Sequence, residues 1–450
     1  MLNLRKIFGF KSKSRTSKAI GNVVYSAFFK AVSILVSFEL IPMTLGYLNN
    51  FEYGIWLTLN SILTWVGMFD IGLDNGLRNK LAESLARNDK DSGRIYVSTT
   101  FFTTIVLVIT IYILFLIAQR WLNWYSILNI EPQDTSTDIN SLVLIIMAMF
   151  CTSMIFKITG NVYMAKQLSV VNDLLFCISN ILSLIVIYFL VRYTKGNLAY
   201  VAYTYSISPL LVSILSYIFT FKFVYRDLSP SLKRINVCYL KDLIGLGVNF
   251  FIIQVAVLLI FMTSNFVLAQ VLGPAEVTPY NICFKYFSII TMGFTILMAP
   301  FWSAVTDAFV KGELTWIYKN LQRIRLLWFI SVFGLILMII CSQMAFCIWV
   351  GDMINISYAL TIVLALYAAI VNWNNIYAYF INGIGKIRIQ LYCSVGSIIL
   401  YVITAVPFTH RWGSIGLAIS LSISLLPSAI FLPIQMKKIL KGKAHGVWNK

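Results

Sequence analysis

Charge is scarce in this sequence. Asp, Glu, Lys and Arg supply 12% of its residues, against roughly 25% in a soluble domain. That deficit excludes a water-facing surface over most of the chain. Histidine is scarcer still: only His410 and His445 occur, both near expected loops, so no histidine-based catalytic or metal constellation is expected. There is no GxxxxGK[ST] loop to cradle the phosphates of ATP. Energy for any work would then come from ion gradients or from a cargo's own gradient. The seven cysteines lie in or beside apolar runs without CxxC spacing, and they read as buried thiols, neither disulfides nor metal ligands. No cofactor and no enzyme activity are expected.

What the chain has is apolar length. Hydrophobic residues make up 59% of it, and runs of about 20 residues, enough to cross roughly 30 Å of hydrocarbon as a helix, recur from end to end. The fold class this implies is all-α and polytopic, with twelve transmembrane helices. Their expected positions are 20–42, 53–72, 97–118, 141–157, 172–191, 199–221, 244–268, 280–301, 326–348, 358–381, 391–408 and 414–434. The basic stretch before the first span resembles a signal-peptide n-region. The following apolar run is too long for an h-region and lacks a small-residue cleavage site, so it reads as a retained helix.

A net charge of +18 would suit nucleic acid if the basic residues were clustered, but they alternate by loop. Of the 35 Lys and Arg, 29 fall in the N-terminus, the even-numbered connections and the C-terminus, against 4 in the odd-numbered connections. Lys30 and Lys285 complete the total from inside spans. The positive-inside rule then puts both termini in the cytoplasm, and an even number of spans requires that they share a side. An integral membrane location and contact with membrane lipids follow; nucleic acid is not expected. Trp121, Trp124 and Tyr125 after the third span read as interface anchors.

The chain also repeats. Shifted by 227 positions, Asn22–Thr64 aligns with Asn249–Thr291 at 9 of 43 positions, among them Ser37 with Ser264, Leu45-Gly46 with Leu272-Gly273, and Tyr53 with Tyr280. Two six-helix bundles, 20–221 and 244–434, are expected to relate by a pseudo-two-fold axis along the membrane normal, as in parallel-repeat transporters. Residues 1–19 form a basic cytoplasmic N-terminus, 222–243 a basic cytoplasmic linker held at anionic headgroups, and 435–450 a basic tail. After the second span, Leu77, Leu81 and Leu85 form one stripe flanked by Arg78, Lys80 and Arg87. That pattern fits a short helix in the interface, with Asp74 able to cap it.

Ionisable groups inside apolar spans are the informative ones, since each is costly unless it faces water or a partner. Lys30 is deepest, in the middle of the first span, and Lys285 lies in the outer third of the eighth. Either can meet an anionic cargo as a point charge, or be satisfied by carbonyls or by a carboxylate of another helix. Glu39, just before Pro42, and Asp70 at the end of the second span are candidates for proton or sodium coupling; a structural cap is the alternative for Glu39. Asp173 and Asp242 read as helix-start residues. Gln254 and the run Asn372, Trp373, Asn374, Asn375 put amides and an aromatic in mid-span, suited to sugars or, equally, to hydrogen bonds between helices.

The segment GLDNGLRNKLAESLARND, following Phe69-Asp70, resembles the bacterial polysaccharide transporters, the O-antigen and capsule repeat-unit flippases of the multidrug/oligosaccharidyl-lipid/polysaccharide exporter superfamily. LGPAEVTPYNICFKYFSI, Leu272 to Ile289, looks like the same family's turn between the seventh and eighth spans. The resemblance covers essentially the whole chain. It implies two bundles that open alternately to the two sides and carry an undecaprenyl-diphosphate-linked oligosaccharide, in concert with polymerase machinery. A cation-coupled drug exporter on the same fold is the first rival, yet such a cargo wants cavity acids, and the deep charges here are lysines. A membrane-embedded polymerase or glycosyltransferase is the second, yet the longest outer loop, 119–140, is too small for a catalytic domain.

Overall fold

The computed structural model describes residues 15–67, 73–166, 168–240, 243, 263–351 and 354–449, and its regular elements are helices. The chain divides into two compact units, Met1–Gln254 and Val255–Lys450. The first holds α1 (Arg15–Tyr47), α2 (Asn50–Val66), α3 (Leu73–Ala86), α4 (Lys90–Ala118), α5 (Trp124–Leu128), α6 (Ile139–Phe156), α7 (Ile158–Ala165), α8 (Ser169–Tyr193) and α9 (Leu198–Phe219). The second holds α10 (Thr263–Leu272), α11 (Val277–Val310), α12 (Leu314–Ile340), α13 (Ser342–Val350), α14 (Tyr358–Ile384), α15 (Arg388–Ser424) and α16 (Leu426–Leu440).

Helix starts are set by short polar side chains that satisfy otherwise orphaned N–H groups. Asn49 accepts from the Glu52 N–H at 2.8 Å, Asp89 from Ser92 at 3.0 Å and Asn197 from Ala199 at 2.8 Å. Among the described residues, nine helical segments are long and apolar enough to cross a membrane. Helix α2 has 17 residues. Most of the expected seventh span lies outside the described residues, and α10 is its described end.

One of the nine segments, Arg388–Leu440, runs 53 residues, twice what a bilayer needs, and it folds on itself. Gly413 leaves helical geometry at φ 62° and ψ −146°, a conformation only glycine adopts without strain. Across that break Thr404 Oγ1 lies 2.5 Å from Ser420 Oγ, although 16 residues of straight helix would separate them by about 24 Å. The segment is therefore an antiparallel hairpin. Gly416 closes it: a Cβ there would sit 1.9 Å from the Phe408 carbonyl oxygen.

In the first unit α1 packs along α8, with the small side chains Ser26 and Ser33 buried, and touches α9 where Thr44 lies 3.1 Å from the Tyr205 hydroxyl. Small residues let two membrane helices approach closely. At the far end Tyr47 donates to the Lys195 carbonyl at 2.7 Å. The connection after α4 is packed too: Trp121 stands exposed, as an interface anchor would, but Trp124 is buried and donates to Gln119 at 3.1 Å.

The amphipathic helix expected after the second span exists as α3, but its stripe does not face lipid. Leu73, Leu77 and Leu81 are buried against Tyr96, Val97 and Phe101 of α4, Ile158 and Val162 of α7, and Leu228 and Leu243 of the following linker. Protein covers the stripe because the linker folds back over it. Lys90 pairs with Asp227 at 3.0 Å and Arg234 with Asp91 at 3.1 Å. Arg94 donates to the Ser229 carbonyl at 3.0 Å, and the Ser231 and Asn236 N–H groups donate to Ser98 and Thr99, each at 3.1 Å. Burial pushes the Asp227 carboxyl up, but the hydrogen bond and charge of Lys90 outweigh it and hold the group below the usual carboxylate range. Gly76 admits the linker backbone: a Cβ there would lie 2.2 Å from the Leu243 carbonyl oxygen.

The hairpin yields a test within one segment. Gly396 has open space where its Cβ would be, whereas Gly416 has backbone. Gly416→Ala is expected to destabilise the detergent-solubilised protein by about 1–3 kcal/mol through overpacking, read as a lower Tm. Gly396→Ala should not lower it, because alanine is the better helix former. Equal behaviour of the two variants would refute the hairpin's reliance on close backbone approach.

Candidate functional site

The in-span charge at Lys30 is not alone. Its Nζ lies 3.8 Å from Asp173 Oδ1 on α8, with side-chain exposures of 54% and 20%. Ser26, one turn earlier on the same face of α1, donates its hydroxyl to the other oxygen, Asp173 Oδ2. Asp173 was expected only to start its helix, but α8 begins at Ser169, and the carboxylate turns to α1 instead. A paired cation avoids the full cost of an isolated charge at membrane depth. The distance and half-exposure also leave ammonium protons open to a second anion.

The remaining candidates are spread apart. Glu39 is exposed on α1, which continues through Pro42 to Tyr47 without ending there. Lys285 is half-buried on α11, where Ser288 donates to its carbonyl at 2.6 Å. Asp70, Gln254 and Asp242 lie outside the described residues. Among the described residues, His, Cys, Asp and Glu do not gather in the threes that hold a metal ion.

The amide–aromatic run on α14 resolves into distinct roles. Asn372 is fully buried, and neither of its amide atoms has a hydrogen-bond partner. Trp373 donates its indole N–H to the Ala429 carbonyl at 3.1 Å. Four residues beyond Ala429 stands Pro433, which has no N–H to give that carbonyl. Trp373 thus repairs a gap in the α16 ladder, and its ring is flanked by Trp328 and Tyr377, each with centroids 5.0 Å away. Asn374 ties α14 to the α15–α16 junction by donating to the Leu425 carbonyl at 3.2 Å. Asn375 is half-buried. Two of the four expected sugar-binding residues therefore spend their donors on the protein's own backbone, as membrane bundles require.

Sequence reasoning did not assign Asp173 and Ser26 to this site. Asp173 is 147 residues from Ser26, and no local pattern announces the pairing. The one available signal was an acid inside an otherwise apolar helical stretch.

These features define a class: a multi-pass helical membrane protein on the fold of the MATE transporters. An inward-facing MATE-family multidrug resistance transporter of the MOP superfamily superposes with TM-score 0.70 at 14% identity, covering 93% of this chain and 96% of that one. An outward-facing structure so titled gives TM-score 0.63 at 14% identity, covering 94% and 96%. Within that class the family is specific. Residues 20–303 match the family described as polysaccharide biosynthesis protein, more than half of the chain, and the chain belongs to it. It is 23% identical over 386 residues, 80% of this chain and 82% of the relative, to the Yersinia pseudotuberculosis protein named as an O-antigen export protein. It is 22% identical over 399 residues, 85% and 88%, to the Salmonella typhi protein named as an O-antigen transporter.

The Trp373 repair predicts a rescue. Trp373→Phe leaves the Ala429 carbonyl without its indole donor and should cost about 1–3 kcal/mol of stability. Adding Pro433→Ala restores a backbone donor, so the double variant should recover part of the loss in a thermal melt. A double variant no more stable than Trp373→Phe alone would disprove this account.

Proposed function

We propose that this protein is a flippase. It moves a polyprenyl-diphosphate-linked oligosaccharide from the cytoplasmic to the periplasmic leaflet of the bacterial inner membrane by alternating access, for surface polysaccharide synthesis. The observation that carries the reading is the half-exposed Lys30 ammonium within an apolar helical segment, held only loosely at 3.8 Å from Asp173. A diphosphate is a stronger acceptor than a carboxylate already engaged by Ser26, and it can take over the ammonium as cargo passes. When the cargo leaves, Asp173 restores neutrality. The family and the names of its O-antigen relatives support this cargo. An organic-cation cargo is disfavoured because Lys30 neutralises the acid that would attract it.

The reading includes twelve crossings with both termini cytoplasmic. Support comes from the hairpin of Arg388–Leu440, the 17-residue α2 and the short α10, which account for spans beyond the nine counted by length. The outer side of the α8–α9 turn can be tested at Lys195, which is exposed. A cysteine at Gly196 is unsuitable, since its Cβ would meet the Tyr47 carbonyl oxygen at 2.3 Å. Lys195→Cys is expected to react with a membrane-impermeant thiol reagent in intact spheroplasts. Reaction only after permeabilisation would refute this topology.

The function is tested at Lys30. A charge-assisted hydrogen bond contributes about 2 kcal/mol, roughly a thirtyfold change in affinity. Lys30→Ala should therefore accumulate in the membrane yet fail to restore surface polysaccharide in a flippase-null strain. Lys30→Arg should restore part of it, and Lys285→Ala more than Lys30→Ala. Full restoration by well-expressed Lys30→Ala would remove the case for an anionic cargo at this site.

A further inference from the structure

The linker after α9 carries a second feature, independent of the cargo. Its backbone is fixed: ion pairs and hydrogen bonds to α4 hold Asp227, Ser229, Ser231, Arg234 and Asn236 in place. Yet from Leu232 to Cys238 every side chain is exposed. Leu232 is 70% and Val237 72% accessible, with Ile235 and Phe223 open beside them. Apolar side chains on a floppy loop need no explanation, but apolar side chains pinned in the open mark a surface that something else covers.

The charge of the layer points to the partner. Asp227, the one acid of residues 222–238, is paired with Lys90, and Asp91 of α4 with Arg234, while Lys222, Arg226 and Lys233 add exposed positive charge to the segment. Position agrees, because the segment follows α9 directly through the turn Thr220–Val224, where the membrane-crossing stretch Leu198–Val224 ends. We infer that residues 222–238 form a fixed docking ledge for the anionic lipids of the cytoplasmic leaflet. Leu232 and Val237 enter the headgroup–acyl boundary, and Lys222, Arg226 and Lys233 meet lipid phosphates, the pairing of apolar and basic groups that binds anionic interfaces. In this arrangement lipid contact is transmitted to α4 and α3 through the clamped backbone.

Cys238 is exposed in the ledge and serves as the reporter. A variant retaining only that cysteine, labelled with an environment-sensitive fluorophore, would be placed in nanodiscs of phosphatidylcholine alone or with phosphatidylglycerol added. The expected result is a blue-shifted emission, quenched by nitroxide-headgroup lipid, that strengthens with phosphatidylglycerol. Lys233→Ala should weaken that dependence by roughly fivefold, one cation's share at an anionic surface, and Leu232→Ser with Val237→Ser should abolish the blue shift. A reporter equally open to aqueous iodide in both lipid mixtures would overturn the proposal. So would protection that appears only when a soluble acidic protein or nucleic acid is added. Should a variant misfold, the comparison of the two lipid mixtures with the otherwise unsubstituted reporter protein decides the matter alone.

Discussion

Hydrocarbon offers a peptide carbonyl no hydrogen bond, and much of this structure answers that single constraint. Where helices are intact the backbone answers it. Where they are broken, side chains from neighbouring helices must do so, and they are placed accordingly. Trp373 supplies the carbonyl that Pro433 leaves open, Tyr286 reaches the Met338 carbonyl in the last turn of α12 at 3.1 Å, and Asn374 reaches Leu425 at the α15–α16 junction. Asn372 departs from this pattern: it is fully buried, and neither of its amide atoms has a hydrogen-bond partner among the described residues. Such groups in native structures mark a water, a ligand or a second conformation.

The same scarcity of solvation governs charge. A lysine at membrane depth is tolerated when it is paired or wet, and Lys30 is partly both. Its partner is an acid already engaged by Ser26, so the three side chains hold two opposite charges between α1 and α8 without quenching the ammonium completely. With that internal counter-ion neither charge stands bare between the two helices.

At the ends of the helices, around the start of α4, the construction changes. Ion pairs and short polar side chains take over from buried indoles and amides, and α3, α4 and the linker form one layer around a small leucine core. The basic linker expected between the two bundles belongs to the first compact unit.

How much of this was legible beforehand follows from the range of each interaction. Apolar length, helical period and loop charge are local or additive properties, so an all-helical membrane protein, the sites of most spans and the amphipathic α3 could be read from residue order alone. The pairing of Lys30 with Asp173, the capture of Trp373 and Asn374 by α16 and its junction with α15, and the closure of the linker over α3 could not. They join residues from 51 to 167 positions apart, and two of them depend on the backbone they meet, through Gly76 at the linker and a missing N–H at Pro433. Composition by itself determined the solvent this chain lives in and the elements it forms there. Which polar side chains pair with each other and which satisfy a broken backbone was decided only by tertiary structure, because a donor is committed by the nearest unsatisfied acceptor, and that acceptor lies on another helix.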